Sequence, residues 1–294
     1  MKILFIGGTR FVGLAMAREA IARGHEVSLF HRSDKIPVGT ESAIHLIGDR
    51  TKDFTALQVG NWDVVVDVCG YRPHEIHALY DVFAGRINKY VYVSTVSVYA
   101  DDIDPNLDET ATLTDVSILE DKELITVPID GDTYGALKVL CEIAAHGHYS
   151  NLLIIRPTYV IGPDDYTNRF NFWVNKFLKN EKVAVPANTG TTLQYIDVRD
   201  LASFTISAIE KDLTGEFHVC ETGTRFDVVL EEIALATNSK SELVVANSSD
   251  ESEFPLWSAN DSGVLAMDPT KAKSAGLVTR PLAQTIKDIV SEIS

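Results

Sequence analysis

Residues 2–6, Lys-Ile-Leu-Phe-Ile, run directly into Gly7-Gly8-Thr9-Arg10-Phe11-Val12-Gly13, and an amphipathic stretch follows as far as Arg23. Strand, glycine turn and helix in that order aim backbone N–H groups and a helix N-terminus at a pyrophosphate. Gly7 allows the tight turn, Gly8 the close approach of a ligand, and Gly13 the packing of helix on sheet. An ordinary glycine-rich turn is the plain alternative, and the strands that follow argue against it.

Outward from that turn the rhythm repeats. Apolar runs at 26–30, 43–47, 62–68 and 90–95 predict strands, with a helix over 73–83 between the last two. Runs with little alternation suit strands covered on both faces. The pattern predicts an α/β fold built on a Rossmann doubly wound parallel sheet. Residues 101–132 are acidic and interrupted by Pro105, Pro128 and Gly131, which predicts a long surface excursion beside the site. A helix resumes over 133–146 and a strand over 152–155. Beyond Pro163 the pattern turns α+β. A helix over 169–179 carries Phe170, Trp173, Val174 and Phe177 on one face, a strand follows at 216–220, and a last helix covers 281–292. The Ser/Asp/Glu-rich stretch 247–253 reads as a loop. Residues 1–165 are expected to form the dinucleotide-binding domain, with 190–212 returning to it. Residues 166–189 and 213–294 are expected to form a smaller C-terminal α+β substrate lobe.

The 294 residues carry a formal net charge of −16, which opposes binding to nucleic acid or to an anionic membrane. Cys69, Cys141 and Cys220 show no C-x-x-C spacing, which favours reduced thiols and a cytoplasmic setting. Gly7 and Gly8 end the first apolar run too early for a signal peptide, and no run approaches the roughly 20 residues of a membrane helix. No metal is expected. Asp102, Asp104, Asn106 and Asp108 imitate a calcium loop, but Leu107 and Leu113 stand where its glycine and closing glutamate are needed. His74-Glu75-x-His77 lacks zinc spacing, and His146 and His148 suit the dipole at a helix end.

An NAD site of this kind carries an acid about 20 residues past the glycine turn, on the ribose hydroxyls. Here the second strand ends in Phe30-His31-Arg32-Ser33. No acid repels a 2′-phosphate there, and Arg32, with Arg10, attracts one; a solvent-facing arginine is the alternative. The cofactor is therefore expected to be NADP or NAD, with NADP favoured. Gly48-Asp49-Arg50 follows the third strand, where a residue meets the adenine edge, so His31, Asp49 and Arg50 join the cofactor set.

Tyr134-Gly135-Ala136-Leu137-Lys138 puts a phenol and an ammonium on one helical face. The ammonium is expected to lower the phenol toward working pH, making it a base toward an alcohol or an acid toward a carbonyl. With ten tyrosines in the chain, the spacing alone is weak. Its context strengthens it. The fifth strand ends Val93-Ser94-Thr95-Val96-Ser97-Val98-Tyr99, which brings hydroxyls to the carboxyl edge of the sheet, and Thr95 is a candidate donor to the substrate oxygen.

Together these residues resemble the extended short-chain dehydrogenase/reductase family, the group that contains nucleotide-sugar epimerases and dehydratases. The resemblance is carried by Gly7 to Gly13, Ser94 to Tyr99, Tyr134 with Lys138, and Arg156-Pro157 leading to Val160 and Gly162-Pro163. Gln194 to Asp200, Asp268 with Lys271 and Ala272, Gly276-Leu277 and Pro281-Leu282 extend it over nearly the whole chain. It implies a catalytic set of Thr95, Tyr134 and Lys138, with Lys138 also on the nicotinamide ribose. Thr9, Phe11, Val12, Val68, Cys69 and Pro157 complete the cofactor positions. The implied activity is an NAD(P)-dependent oxidoreductase or epimerase on a hydroxyl or carbonyl substrate such as a nucleotide sugar. Arg169 and Arg225 are candidate diphosphate partners, and homodimers through helices beside the active tyrosine are common in the family.

The chain also departs from the family pattern. Arg10 replaces the middle glycine of the turn, and Asp67-Val68-Cys69-Gly70-Tyr71 replaces a small-residue stretch. No Asp-Glu pair follows Thr95, which disfavours sugar dehydration. The Gly-Gly-Thr-Arg-Phe form resembles a subgroup labelled variously as epimerases, isoflavone-reductase-like proteins and plastid RNA-binding relatives. An NADPH-dependent reductase of a small carbonyl compound, and a non-catalytic dinucleotide-binding sensor or RNA-binding module, are the alternatives.

Overall fold

Every residue of the first strand after Lys2 is buried. Successive side chains point to opposite faces, so Ile3 and Phe5 enter one core while Leu4 and Ile6 enter another. This double burial makes the strand central. The computed structural model describes residues 1–100, 106–179, 182–246, 253–258 and 267–293; Asp102, Asp104 and most of the expected 247–253 loop lie outside the described residues.

In chain order, β1 (Lys2–Ile6), α1 (Phe11–Ala22), β2 (Glu26–His31), β3 (Ile44–Ile47), β4 (Trp62–Asp67), α2 (Pro73–Phe83), β5 (Ile87–Val93), α3 (Tyr134–His148) and β6 (Leu152–Pro157) build the Rossmann half. They are followed by β7 (Tyr159–Ile161), α4 (Arg169–Leu178), β8 (Val183–Val185), β9 (Thr192–Leu193), β10 (Tyr195–Asp197), α5 (Val198–Glu210) and β11 (Gly215–Val219). The chain continues through β12 (Thr224–Arg225), α6 (Phe226–Ala236), β13 (Leu243–Val245), α7 (Thr270–Ala275) and α8 (Leu282–Ile293).

The main sheet has the order β11-β6-β5-β4-β1-β2-β3, and its pairs are parallel. Ile3 lies opposite Val27 on one side and Val64 on the other. The order reverses between β1 and β4, and the crevice at such a switch point opens at the carboxyl ends of the strands. Met16, Ala17 and Ala20 of α1 and Leu201 and Phe204 of α5 cover one face; Ile76, Leu79 and Phe83 of α2 and Cys141, Ala144 and Ala145 of α3 cover the other. Each large apolar side chain so buried contributes about 1.5–3 kcal/mol.

A second core lies in the C-terminal lobe. Phe170, Trp173, Val174 and Phe177 of α4 are all buried there with Phe226 and Ile233 of α6 and Ile286 and Ile289 of α8. Trp173 Nε1 donates to the Pro255 carbonyl at 2.7 Å, satisfying the one polar group the indole carries.

Two expectations need correction. Residues 213–294 do not lie wholly in the smaller lobe, because Gly215–Val219 pairs with β6 and forms the outer strand of the main sheet. The fifth strand starts at Ile87 rather than 90; its polar start hid it, since Lys89 is buried by pairing with Asp212 at 2.9 Å and Asn151 Oδ1 at 2.8 Å. The described part of the 101–132 excursion packs on α3, where Leu119 and Val127 meet Ala136 and Leu137. No helix among the described residues is long and apolar enough to cross a membrane.

Candidate active site

One cavity of about 1510 Å³ runs along the carboxyl edge of the sheet at the switch point. Residues 7–13, His31, Arg32, Asp49, Arg50, Val68, Cys69 and Pro157 line it, together with Thr95, Tyr134, Lys138 and Arg169. Arg225 does not line it: this arginine is exposed and ion-paired with Asp227 at 2.5 Å.

The glycine turn admits no other residue type. Gly7 holds φ at +99° and Gly8 at +85°, values that side-chain-bearing residues rarely adopt. A Cβ on Gly13 stands 2.8 Å from Gly8 Cα and from Val68 Cγ2, so this glycine sets how closely α1 meets the sheet. Phe11 holds φ at +37° where the turn enters the helix, a strained conformation of the kind kept at ligand sites. Two buried hydroxyls in the cavity, Ser94 Oγ and Thr158 Oγ1, have no hydrogen-bond partner. A backbone cradle at one end and orphaned hydroxyls toward the other fit a dinucleotide whose phosphates and carboxamide accept and donate hydrogen bonds.

At the end expected to take the adenosine, His31 Nε2 and His45 Nδ1 share a hydrogen bond of 2.8 Å, and Arg32 is exposed. Asp49 accepts from the backbone and hydroxyl of Thr51 at 2.9 and 2.7 Å. Arg50 is held differently from the expectation of an adenine contact. Its guanidinium donates to Asp67 at 2.6 and 3.0 Å and to Cys69 Sγ at 3.3 Å, so it is floor beneath the cavity. Tyr90 OH donates to the same carboxylate at 2.8 Å. Burial alone lifts the Asp67 carboxyl, but Arg50 outweighs it and holds the group below its ordinary value.

At the reacting end, β5 stops at Val93 and Thr95 accepts from Ser97 N at 3.1 Å, capping the short turn Val96–Val98. Gly135 lets α3 approach this turn, because a Cβ there falls 2.1 Å from the Ser97 carbonyl oxygen. Tyr134 thereby lines the same cavity as Thr95. Burial raises the phenol above its ordinary value, while the hydrogen bond with Thr95 and then the charge of Arg169 pull it down. The expected lowering by Lys138 is corrected here. The Lys138 ammonium donates to the Val93 carbonyl at 2.8 Å and the Gly70 carbonyl at 3.1 Å, and lies 4.2 Å from the Tyr92 ring centroid. Burial lowers this ammonium to about 8.

Sequence reasoning missed three aromatic walls. Tyr71 lies 6.5 Å from Tyr134 between ring centroids. Tyr159 carries Arg169 at 5.1 Å from its ring centroid. Tyr166 meets Arg10 at 5.6 Å and Phe11 at 6.4 Å over the glycine turn. None sits in a spaced motif; only the neighbouring Gly70 and Pro163 marked the loops that carry two of them. Among the described residues no group of three or more His, Cys, Asp or Glu is placed to hold a metal ion.

Residues 76–220 match the NAD dependent epimerase/dehydratase family. That match covers just under half of the chain. The epimerase/dehydratase region holds Thr95, Tyr134, Lys138 and Arg169, while the glycine turn precedes it. A chloroplast stem-loop binding protein of 41 kDa from Arabidopsis thaliana is 28% identical over 222 residues, 69% of this chain and 53% of the relative. Human dTDP-D-glucose 4,6-dehydratase is 23% identical over 242 residues, 76% of this chain and 60% of the relative. The chain thus spans between half and two thirds of the length of these curated relatives. The solved structure of UDP-glucose 4-epimerase from Thermotoga maritima superposes with a TM-score of 0.75 at 17% identity, covering 100% of this chain and 98% of that one. That likeness shows the fold.

Proposed function

We propose that this chain is an NAD(P)-dependent epimerase or oxidoreductase in which Tyr134 exchanges a proton with a hydroxyl or carbonyl oxygen of a nucleotide sugar. The observation that carries the reading is the placement of Thr95, Tyr134 and Lys138 in the same cavity as the glycine turn. When bound, a nicotinamide dinucleotide supplies hydride exchange with the substrate carbon. Thr95 orients the substrate oxygen beside the phenol, and Tyr71 and Tyr159 limit water at that end. Lys138 reaches the nicotinamide ribose by giving up one of its two carbonyl partners. The exposed Arg32, with no acid beside it in sequence until Asp34, supports NADP over NAD. A homodimer through α2 and α3 is part of the reading; Tyr80 and Ile143 are exposed on those helices.

Mass spectrometry of the nucleotide that co-purifies, followed by a nucleotide-sugar turnover screen, tests the reading. Retained NAD with no requirement for free cofactor identifies epimerisation, and loosely held NADPH identifies a reductase of a carbonyl compound. Failure to bind either dinucleotide by calorimetry ends it. The name of the Arabidopsis relative favours a second reading, binding of a stem-loop RNA. The net charge of −16 opposes that reading, and a gel shift with a stem-loop RNA that survives Tyr134→Phe and excess dinucleotide supports it.

A further inference from the structure

Arginines in this acidic chain are almost all committed to partners. Outside the cavity, Arg72 and Arg86 donate to backbone carbonyls, and the remaining ones are ion-paired. Inside it, Arg50 is paired with Asp67. Among the described residues, the arginines with neither a carboxylate within 4.0 Å nor a carbonyl acceptor are Arg10, Arg32 and Arg169, and all three line the cavity. Arg10 and Arg32 belong to the dinucleotide end. Arg169 stands at the reacting end.

We propose that the substrate carries a carboxylate on or beside the carbon that reacts, and that Arg169 holds it. This rests on Tyr134 as the proton-exchanging group and names the substrate class for that site. Arg169 opens α4, a helix anchored in the second core by Phe170 and Trp173, so its backbone is rigidly placed. Its guanidinium lies 5.1 Å from the Tyr159 ring centroid, and Nε donates to Thr167 Oγ1 at 3.3 Å. The two Nη groups are left without a protein acceptor among the described residues, and a planar pair of N–H donors is the shape that matches a carboxylate. The charge of Arg169 acts directly on the Tyr134 phenol. An anion held by Arg169 shares the cavity with the Tyr134 phenol and lies beside the Tyr159 ring. Three of the four acidic residues lining the cavity are already engaged: Asp49 by Thr51, Glu75 by the backbone of Tyr71 and Arg72, and Asp115 by Ser117. The fourth, Asp132, is exposed, as is Asp115.

Calorimetry on the full chain saturated with dinucleotide tests this with two matched pairs, UDP-glucuronate against UDP-glucose and free glucuronate against glucose. The acid member is expected to bind at least about tenfold more tightly than its neutral twin, and Arg169→Met is expected to erase the difference while dinucleotide binding, the check on folding, is unchanged. Equal affinities within both pairs overturn the proposal. So does an Arg169→Met variant that weakens UDP-glucose and UDP-glucuronate alike, the signature of a diphosphate contact. A preference for glucuronate over glucose with no heat from either uridine compound upholds the carboxylate and removes the nucleotide handle from the proposed function. No heat from any of the four compounds removes both.

Discussion

Lys138 Nζ donates to the carbonyl of Val93 at 2.8 Å, which ties the helix of Tyr134 to the last residue of β5. The bond places a buried ammonium under the reacting end of the cavity. Burial lowers that group to about 8, whereas an unfolded lysine titrates near ~10.4. Between those values the unfolded chain holds a proton that the folded chain has released, so folding stability rises with pH. Lys138→Met lacks the rise. Urea unfolding of both proteins at about pH 8 and about pH 9.5 is expected to show the wild type gaining about 1.5 kcal/mol relative to the variant. Parallel behaviour of the two proteins contradicts the burial of the ammonium.

Tyr134→Phe removes the oxygen proposed to exchange the proton and keeps the ring. Turnover is expected to fall by about 10²–10⁴-fold with dinucleotide affinity unchanged. Because burial raises the phenol, alcohol oxidation, which uses the phenolate, is expected to climb with pH through the alkaline range. Carbonyl reduction, which uses the phenol, is expected to stay level there. Steady-state rates against pH in both directions check the sign.

Gly135→Ala and Gly147→Ala lie on the same helix and separate close approach from helix propensity. A Cβ at 135 meets the Ser97 carbonyl oxygen at 2.1 Å, while one at 147 meets nothing within 4 Å. The first is expected to cost about 1–3 kcal/mol and to lower turnover by moving Tyr134 off Thr95. The second is expected to leave turnover alone and to add up to about 0.5–1 kcal/mol of stability. Equal effects at both positions contradict the close packing of α3 on the Thr95 turn.

Asp67→Ala leaves the Arg50 guanidinium buried beside the cavity without its main carboxylate partner. A loss of about 3–5 kcal/mol is expected, read from chemical denaturation. Adding Arg50→Met is expected to return part of that loss, since an apolar pair avoids the unpaired charge.

Arg32→Ala tests the adenosine end. NADPH affinity is expected to fall about tenfold, about 1.4 kcal/mol, with NADH affinity unchanged. If both cofactors weaken equally, Arg32 contributes only general attraction.

What the sequence by itself determined is the frame. The unbroken apolar runs of β1, β4 and β6 state that both faces are covered, and the turn from Gly7 to Gly13 states where the first helix leaves the sheet. Both signals are local, so a doubly wound parallel sheet with its site at the carboxyl edge was legible from them, whereas the strand order was not. Three further things were decided only by tertiary structure. The membership of Gly215–Val219 in the main sheet depends on pairing with β6, more than fifty residues earlier, and a short strand does not say which partner it will find. The state of Tyr134 depends on what surrounds it: helical spacing brings Lys138 to the same face, but the carbonyls of Gly70 and Val93 take the ammonium and burial governs the phenol. The roles of Arg50, Arg169 and Arg225 rest on whether an acid lies within reach: Asp67 for the first, Asp227 for the last, and none among the described residues for Arg169. Periodicity reports which face a residue occupies. Charge pairing is settled by distances across the fold, which the order of residues along the chain does not contain.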